Sequence, residues 1–429
     1  MDRVDTQKSA KSHWQKLRLV GLRHNPLDKL KGGRSETTRY GGIKDSFPHR
    51  ENFPFPLQGI VHGGRMKFRI SKEDFLQGLS QVQHVVSSRA TLPILSNVLL
   101  EAQDGELRLT TTDLDVGVSG IVKAEIEREG ATSLPARKLV GIIRELPASE
   151  ISIEVDGKDH ATIRSGPSFF KIIGLNASEF PRLPDFHDSR EFRVAQKKLK
   201  DGLKKTSYAI SNDETRYVLN GIFASFRDGK LTLVATDGRR LAMVEEELEF
   251  PQSQEVDIII PTKAVNEIQR LLGDEGEARL YVSESQIAFE INDAVLVSKL
   301  IEGNYPNYRQ VIPAKSKERI VLNREEILTT VSRVSLLASD KLNSVRMAFG
   351  ADVIEVMSQA QDVGEAHESV PVKYSGPQFA IAFNPEFLMA PLRNLDNDEV
   401  FLDLTDEISP GVLRVAGSFL YVLMPMRVN

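Results

Sequence analysis

Residues 107–113 read LRLTTTD, and residues 231–237 read LTLVATD, 124 positions later. Both are β-like runs of Leu, Thr and Val that stop at an aspartate. Other markers recur at about the same interval. Pro135-Ala136-Arg137-Lys138, Pro261-Thr262-Lys263 and Asn384-Pro385-Glu386 each open an apolar helical run, and Phe180-Pro181 and Tyr305-Pro306 stand 125 apart. A chain of near-copies forms an array or a ring rather than one catalytic cleft.

Each copy reads as strand, helix, several strands, helix, strands. This is an α+β layered domain with two helices packed on antiparallel sheet. In the first copy Ser71 caps a helix with Asp74 three residues on, and Leu76, Leu79, Val82 and Val86 form the apolar stripe. The second helix runs from Ala136 to Leu146. In the second copy Leu199, Leu203 and Ile210 point inward, followed by a helix over 263–272 with Val265, Ile268 and Leu272 as its stripe. In the third, Asn323 caps a helix with Ile327, Val331 and Val334 inward. Asn384 caps the last helix, which Pro391 should kink or shorten. Domains are expected over 66-187, 188-315 and 316-429.

Residues 1–65 differ from the rest. They hold 13 Lys/Arg against 6 Asp/Glu, the only Trp and four of the eight His, with no persistent period. We read them as disordered or as a non-native extension before Met66; a basic arm touching DNA is the alternative. The remaining residues hold 42 Lys/Arg against 54 Asp/Glu. A body that acidic repels nucleic acid unless its cations are gathered on one face. The recurring helices gather them. Lys197, Lys200 and Lys204 share a face opposite Leu199 and Leu203, and Arg137, Lys138, Arg144, Lys263, Arg270, Arg324, Arg333 and Arg393 continue the bias. Each helix alone is an ordinary solvated face. The repetition suits phosphate contact without base reading.

The chain ends GSFLYVLMPMRVN, strongly apolar for a terminus, which implies docking in a sheet or against a groove. There is no cysteine, which fits a reducing cytoplasm, and no run near the ~20 apolar residues of a membrane helix. No phosphate-binding loop, zinc-protease motif or nucleophile elbow occurs. Asp113 and Asp237 occupy equivalent positions and read as turn residues rather than paired acids. His84, His160, His187 and His367 lack ligand spacing, so neither metal nor cofactor is expected.

From Met66 onward the chain closely resembles the bacterial β sliding clamp family, the processivity subunit of the replicative DNA polymerase. The resemblance rests on Thr91-Leu-Pro-Ile-Leu-Ser-Asn97, Leu134-Pro-Ala-Arg-Lys138, Arg216-Tyr-Val-Leu-Asn-Gly221, Thr236-Asp-Gly-Arg-Arg-Leu-Ala242, Tyr305-Pro-Asn-Tyr-Arg309 and Tyr421-Val-Leu-Met-Pro-Met-Arg427. It implies a non-catalytic protein of three clamp-type domains. Two chains would join head to tail as a six-domain ring around duplex DNA. It also implies a partner-peptide pocket of Leu219, Thr236, Gly238, Arg240, Leu241, Pro306, Val311, Val422 and Met424, bordered by Pro425, Met426 and Arg427, with Asn384 and Phe387 nearby. DNA contacts carry over to Arg89, Arg137, Arg216, Tyr217 and Lys263, beside the helix lysines. Ring closure would set Phe170 and Ile172 against Leu336 and Leu337. Implied partners are duplex DNA, a second copy, the DNA polymerase III catalytic subunit, the clamp loader, translesion polymerases, mismatch repair proteins and ligase, the proteins acting through short linear motifs. Arg239, Tyr305 and the Val428-Asn429 ending depart from the common pattern. A peptide-binding scaffold with no DNA role is the rival reading; an enzyme would need an acid or histidine cluster in one copy.

Overall fold

Six α-helices and 25 strands occur among the described residues. The computed structural model describes residues 65–86, 92–147, 150–184, 186, 189–338, 343–360 and 362–427. Residues 1–64 of the N-terminal stretch expected to be disordered, Arg89, Val428 and Asn429 lie outside this set.

The first repeat holds β1 (Met66–Ser71), α1 (Lys72–Val82), β2 (Asn97–Gln103), β3 (Glu106–Thr112), β4 (Val116–Lys123), β5 (Glu125–Arg128), β6 (Gly130–Pro135), α2 (Ala136–Glu145), β7 (Glu150–Val155), β8 (His160–Ser165) and β9 (Ser168–Ile173). The second holds β10 (Arg190–Ala195), α3 (Gln196–Thr206), β11 (Gly221–Arg227), β12 (Lys230–Thr236), β13 (Arg240–Glu247), β14 (Val256–Pro261), α4 (Thr262–Leu271), β15 (Glu277–Val282), β16 (Gln286–Ile291) and β17 (Ala294–Lys299). The third holds β18 (Glu318–Asn323), α5 (Arg324–Val334), β19 (Val345–Gly350), β20 (Val353–Ala360), β21 (Gly364–Pro371), β22 (Phe379–Phe383), α6 (Pro385–Asn394), β23 (Glu399–Leu404), β24 (Gly411–Arg414) and β25 (Phe419–Leu423).

Local chemistry sets the helix starts. Ser71, Asn323 and Asn384 each accept the backbone N–H three residues on, satisfying an otherwise orphaned donor. The stripe of α1 is Phe75, Leu79 and Val82 rather than one led by Leu76, which is only half-buried. Ile210 is buried but lies beyond the end of α3. The last helix is not shortened by Pro391: α6 has ten residues, like α2 and α4.

Each repeat contributes two antiparallel layers rather than one, each of four strands except that β5 adds a fifth beside β1 in the first repeat. The first layers are β6-β2-β3-β4, β14-β11-β12-β13 and β22-β19-β20-β21; the second are β1-β7-β8-β9, β10-β15-β16-β17 and β18-β23-β24-β25. Repeats join by continuing a sheet. β17 pairs with β4, and β25 pairs with β13, making two eight-stranded sheets that each span two repeats. The same two strand types meet at both joins. Among the described residues one edge of each type is left over: β9 in the first repeat and β21 in the third. Among the described residues no helix is long and apolar enough to cross a membrane.

Candidate functional site

The residues expected to form the peptide pocket lie around the second join. At its floor Val234, Leu241, Tyr308, Val412, Leu420 and Val422 form a small apolar cluster separate from the main core, with Phe223, Met243, Tyr305, Val311 and Ile312 packed against it. Register places Leu241 opposite Val422 and Arg240 opposite Leu423. Tyr305 stacks on Phe223 with ring centres 5.0 Å apart, and Pro306 beside it is half-buried.

The turn into β13 is held by its own side chains. The Thr236 hydroxyl donates to the Arg240 carbonyl at 2.5 Å and accepts from the Gly238 N–H at 3.1 Å. Asp237 Oδ1 accepts from the N–H groups of Arg239 and Arg240 at 2.9 and 3.1 Å. Gly238 has φ +83°, the left-handed region that glycine enters without penalty. Asp237 is thus the turn residue its sequence position implied, with a second duty: its Oδ2 accepts from Arg240 Nε at 3.0 Å. Arg240 Nη2 also donates to the Tyr208 carbonyl at 2.6 Å, and the guanidinium lies 4.4 Å from the Phe387 ring centre. The carboxylate, the carbonyl and the aromatic face together hold the Arg240 side chain in one position.

Phe387 is fixed at both backbone ends. Its N–H donates to the Asn384 cap at 3.1 Å. Its carbonyl would ordinarily take the N–H four residues on, but that residue is Pro391, which has none. The Tyr421 hydroxyl donates to it instead, at 2.7 Å. Beyond β25, the Met424 N–H donates to the Arg239 carbonyl at 3.0 Å and the Met426 N–H to the Ala382 carbonyl at 2.7 Å. Met424, Pro425 and Met426 therefore lie half-buried along the join, with Arg427 exposed. Leu219 is buried; its N–H donates to the Arg216 carbonyl, and Arg216 Nη1 reaches the Asp237 carbonyl at 2.6 Å. The expected pocket residues thus gather at one join, while Tyr208, Asp237, Tyr305, Tyr308 and Tyr421 were absent from the expected set. Only the apolar terminus hinted at Tyr421.

The cations are less free than their helical spacing suggests. Lys197 on α3 and Arg137, Lys138 and Arg144 on α2 are exposed and make no ion pair among the described residues. Lys200 pairs with Asp274 at 2.8 Å, and Lys204 pairs with Asp396 of the third repeat at 3.0 Å. Lys263 reaches back to the first repeat, onto Asp113 and the Val85 carbonyl. Burial alone would raise the Asp113 carboxyl, but Lys263 and the N–H groups of Val116 and Asp115 outweigh it and hold it below its ordinary value. Arg216 lies 3.3 Å from Asp213, beside exposed Tyr217. Phe170 and Ile172 stand on β9, an edge strand among the described residues, where Phe169, Phe170 and Ile173 are exposed. Leu336, 81% exposed, and half-buried Leu337 lie in the turn Ser335–Leu337, packed on β20 and β21. No group of three or more histidines and acids among the described residues could hold a metal.

Three family profiles match the chain: the N-terminal domain of the DNA polymerase III beta subunit over residues 66–184, the central domain over 193–307 and the C-terminal domain over 309–427. The beta sliding clamp of Chlamydia pneumoniae is 34% identical over 364 residues, 85% of this chain and 100% of that protein. The Escherichia coli K12 beta sliding clamp is 33% identical, over 84% of this chain and 100% of that protein. Among solved structures, the Pseudomonas aeruginosa sliding clamp bound to griselimycin aligns with a TM-score of 0.81 at 33% identity, and the Bacillus subtilis clamp with 0.82 at 29%; each covers 85% of this chain and 100% of that one. The chain belongs to the DNA polymerase III β-subunit family, the sliding clamps, whose members are processivity factors rather than enzymes.

Proposed function

We propose that two copies of this chain close head to tail into a six-domain ring around duplex DNA, each presenting a peptide-binding cleft at its second join. One observation carries the reading. Both joins within the chain unite a β9-type edge with a β4-type edge, and among the described residues one edge of each type is left without a strand partner, β9 and β21. Unpaired edges invite pairing, and these two complement each other only between copies. Phe170 and Ile172 on one edge and Leu336 and Leu337 near the other supply the apolar contact. On this reading the domain boundaries fall at 187/188 and 315/316.

Arg137, Lys197, Lys200, Lys204, Arg216, Tyr217 and Lys263 then serve duplex DNA, joined by Arg89 outside the described residues. Carboxylates already hold Lys200, Lys204 and Lys263, so phosphate exchanges with them rather than meeting bare charge. That keeps contacts weak and sequence-independent, and retention comes from threading. The cleft takes the apolar anchors of short linear motifs from the polymerase catalytic subunit, the clamp loader, translesion polymerases, mismatch repair proteins and ligase, in the cytoplasm. Light scattering tests closure. The mass should be near twice the 47.9 kDa chain, and Phe170→Glu should shift it toward a single chain. A parent protein with the mass of one chain overturns the ring.

A further inference from the structure

The proline within α6 leaves a carbonyl for another element to claim. In an unbroken helix the Phe387 carbonyl accepts from the N–H four residues on, but at that position Pro391 has no N–H. An unpaired buried carbonyl is costly, so native structures find it a partner. Here the partner is the hydroxyl of Tyr421, a fully buried residue of β25, at 2.7 Å. Burial pushes the Tyr421 phenol above its ordinary value, so it remains a protonated donor at neutral pH. Phe387 in turn lies under the Arg240 guanidinium, 4.4 Å from ring centre to cation, and Arg240 belongs to β13, paired with β25.

We infer that Tyr421 is a positioning residue of the peptide cleft: its hydroxyl replaces the N–H that Pro391 lacks and so fixes Phe387 over Arg240. The inference rests on the cleft reading above. It makes Tyr421 and Pro391 an interdependent pair, since the hydroxyl's bond to the Phe387 carbonyl is needed only because the proline is there. Tyr421→Phe keeps the ring and its packing and removes the hydroxyl, which donates to the Phe387 carbonyl and also faces the Arg240 guanidinium. Pro391→Ala restores an N–H that can close the helix ladder onto the same carbonyl.

The experiment is a fluorescence-anisotropy titration of the full chain with a fluorescein-labelled peptide carrying adjacent leucine and phenylalanine anchors. We expect Y421F to weaken binding roughly fivefold, the scale of one lost hydrogen bond. P391A should bind like the parent, and Y421F within the P391A background should bind within about twofold of it. A tyrosine that serves packing alone would show neither the loss nor the rescue. Y421F binding as the parent does, or a loss that persists in the P391A background, overturns the inference. Should Y421F alone fail to fold, recovered folding and binding in the double variant supports the pairing, and no recovery overturns it. A parent chain that ignores the peptide refutes the cleft reading itself, whereas failure of only the variant pattern leaves the cleft standing.

Discussion

The two joins within the chain start from the same design and end differently. At the first, the Thr112 hydroxyl donates to the Val116 carbonyl at 3.0 Å, Asp113 Oδ1 accepts from Asp115 and Val116 at 3.1 and 2.8 Å, and Leu114 sits at φ +80°. The second repeats this turn with Thr236, Asp237 and Gly238. What differs is the helix facing the turn. Two residues past the Pro261 cap, α4 offers Lys263, which takes the free oxygen of Asp113, while Lys299 pairs with Asp115 at 2.9 Å. Two residues past the Asn384 cap, α6 offers Glu386, which cannot pair with an acid and turns to Arg393 at 3.0 Å. Asp237 is left to its own Arg240, which stands where the first join has Val116 and reaches Phe387. At the first join an ion pair ties the helix to the turn; at the second the turn lacks that tie, and on the proposed reading it is there that a peptide is received. On that reading, reassigning one carboxylate separates a seam from a cleft.

The sharpest way to break this contrast is to give the second turn the residue of the first. Leu114 holds its positive φ with a half-exposed side chain, at a strain of about 1–2 kcal/mol. Gly238→Leu incurs that strain and fills the cleft floor. Displacing apolar anchors worth about 1.5–3 kcal/mol each lowers peptide affinity about a hundredfold. Peptide titration checks it, with light scattering to show that assembly persists; unchanged affinity would mean the two turns do not differ as described.

A smaller effect is expected from untying the first join. Lys263→Met leaves Asp113, whose side chain is 19% exposed, without its cation. With Lys263 itself 39% exposed, solvent screening holds the loss to about 1 kcal/mol in chemical denaturation. Peptide binding at the other join should not change, and a parallel loss there would show that the joins are not independent.

The smallest effect is in the pH dependence of that loss. Asp113 titrates below its ordinary 3.8 in the folded chain, so its contribution is complete above that value and disappears as pH falls through the lowered one. The stability gap between parent and Lys263→Met should therefore close under acid. A gap that persists there assigns the effect of Lys263 to packing.

Much of this was legible in the chain. The caps at Ser71, Asn323 and Asn384 and the strand runs around Asp113 and Asp237 are local signals, and local signals survive folding. The cleft residues came from resemblance, since nothing in the spacing of Thr236 and Val422 shows that their strands become neighbours. Charge pairing was invisible for the same reason. Lys200, Lys263 and Lys204 meet carboxylates 74, 150 and 192 positions away, beyond any helical period. Phe75 was missed because Leu76 fits the same stripe one position on, and only packing decides between them. Tyr421 read as one more apolar residue in a terminal strand; its hydroxyl acquires meaning only beside Pro391, on an element thirty positions earlier in the chain.

The leftover edges have a final consequence. Every junction runs in the same sense, the trailing strand of one repeat onto the leading layer of the repeat before it, and no junction is its own mirror. An object assembled by one directed step has a front and a back that are never interchangeable. A machine docked through the cleft would thus be told which way it points along the double helix, without a single base being read.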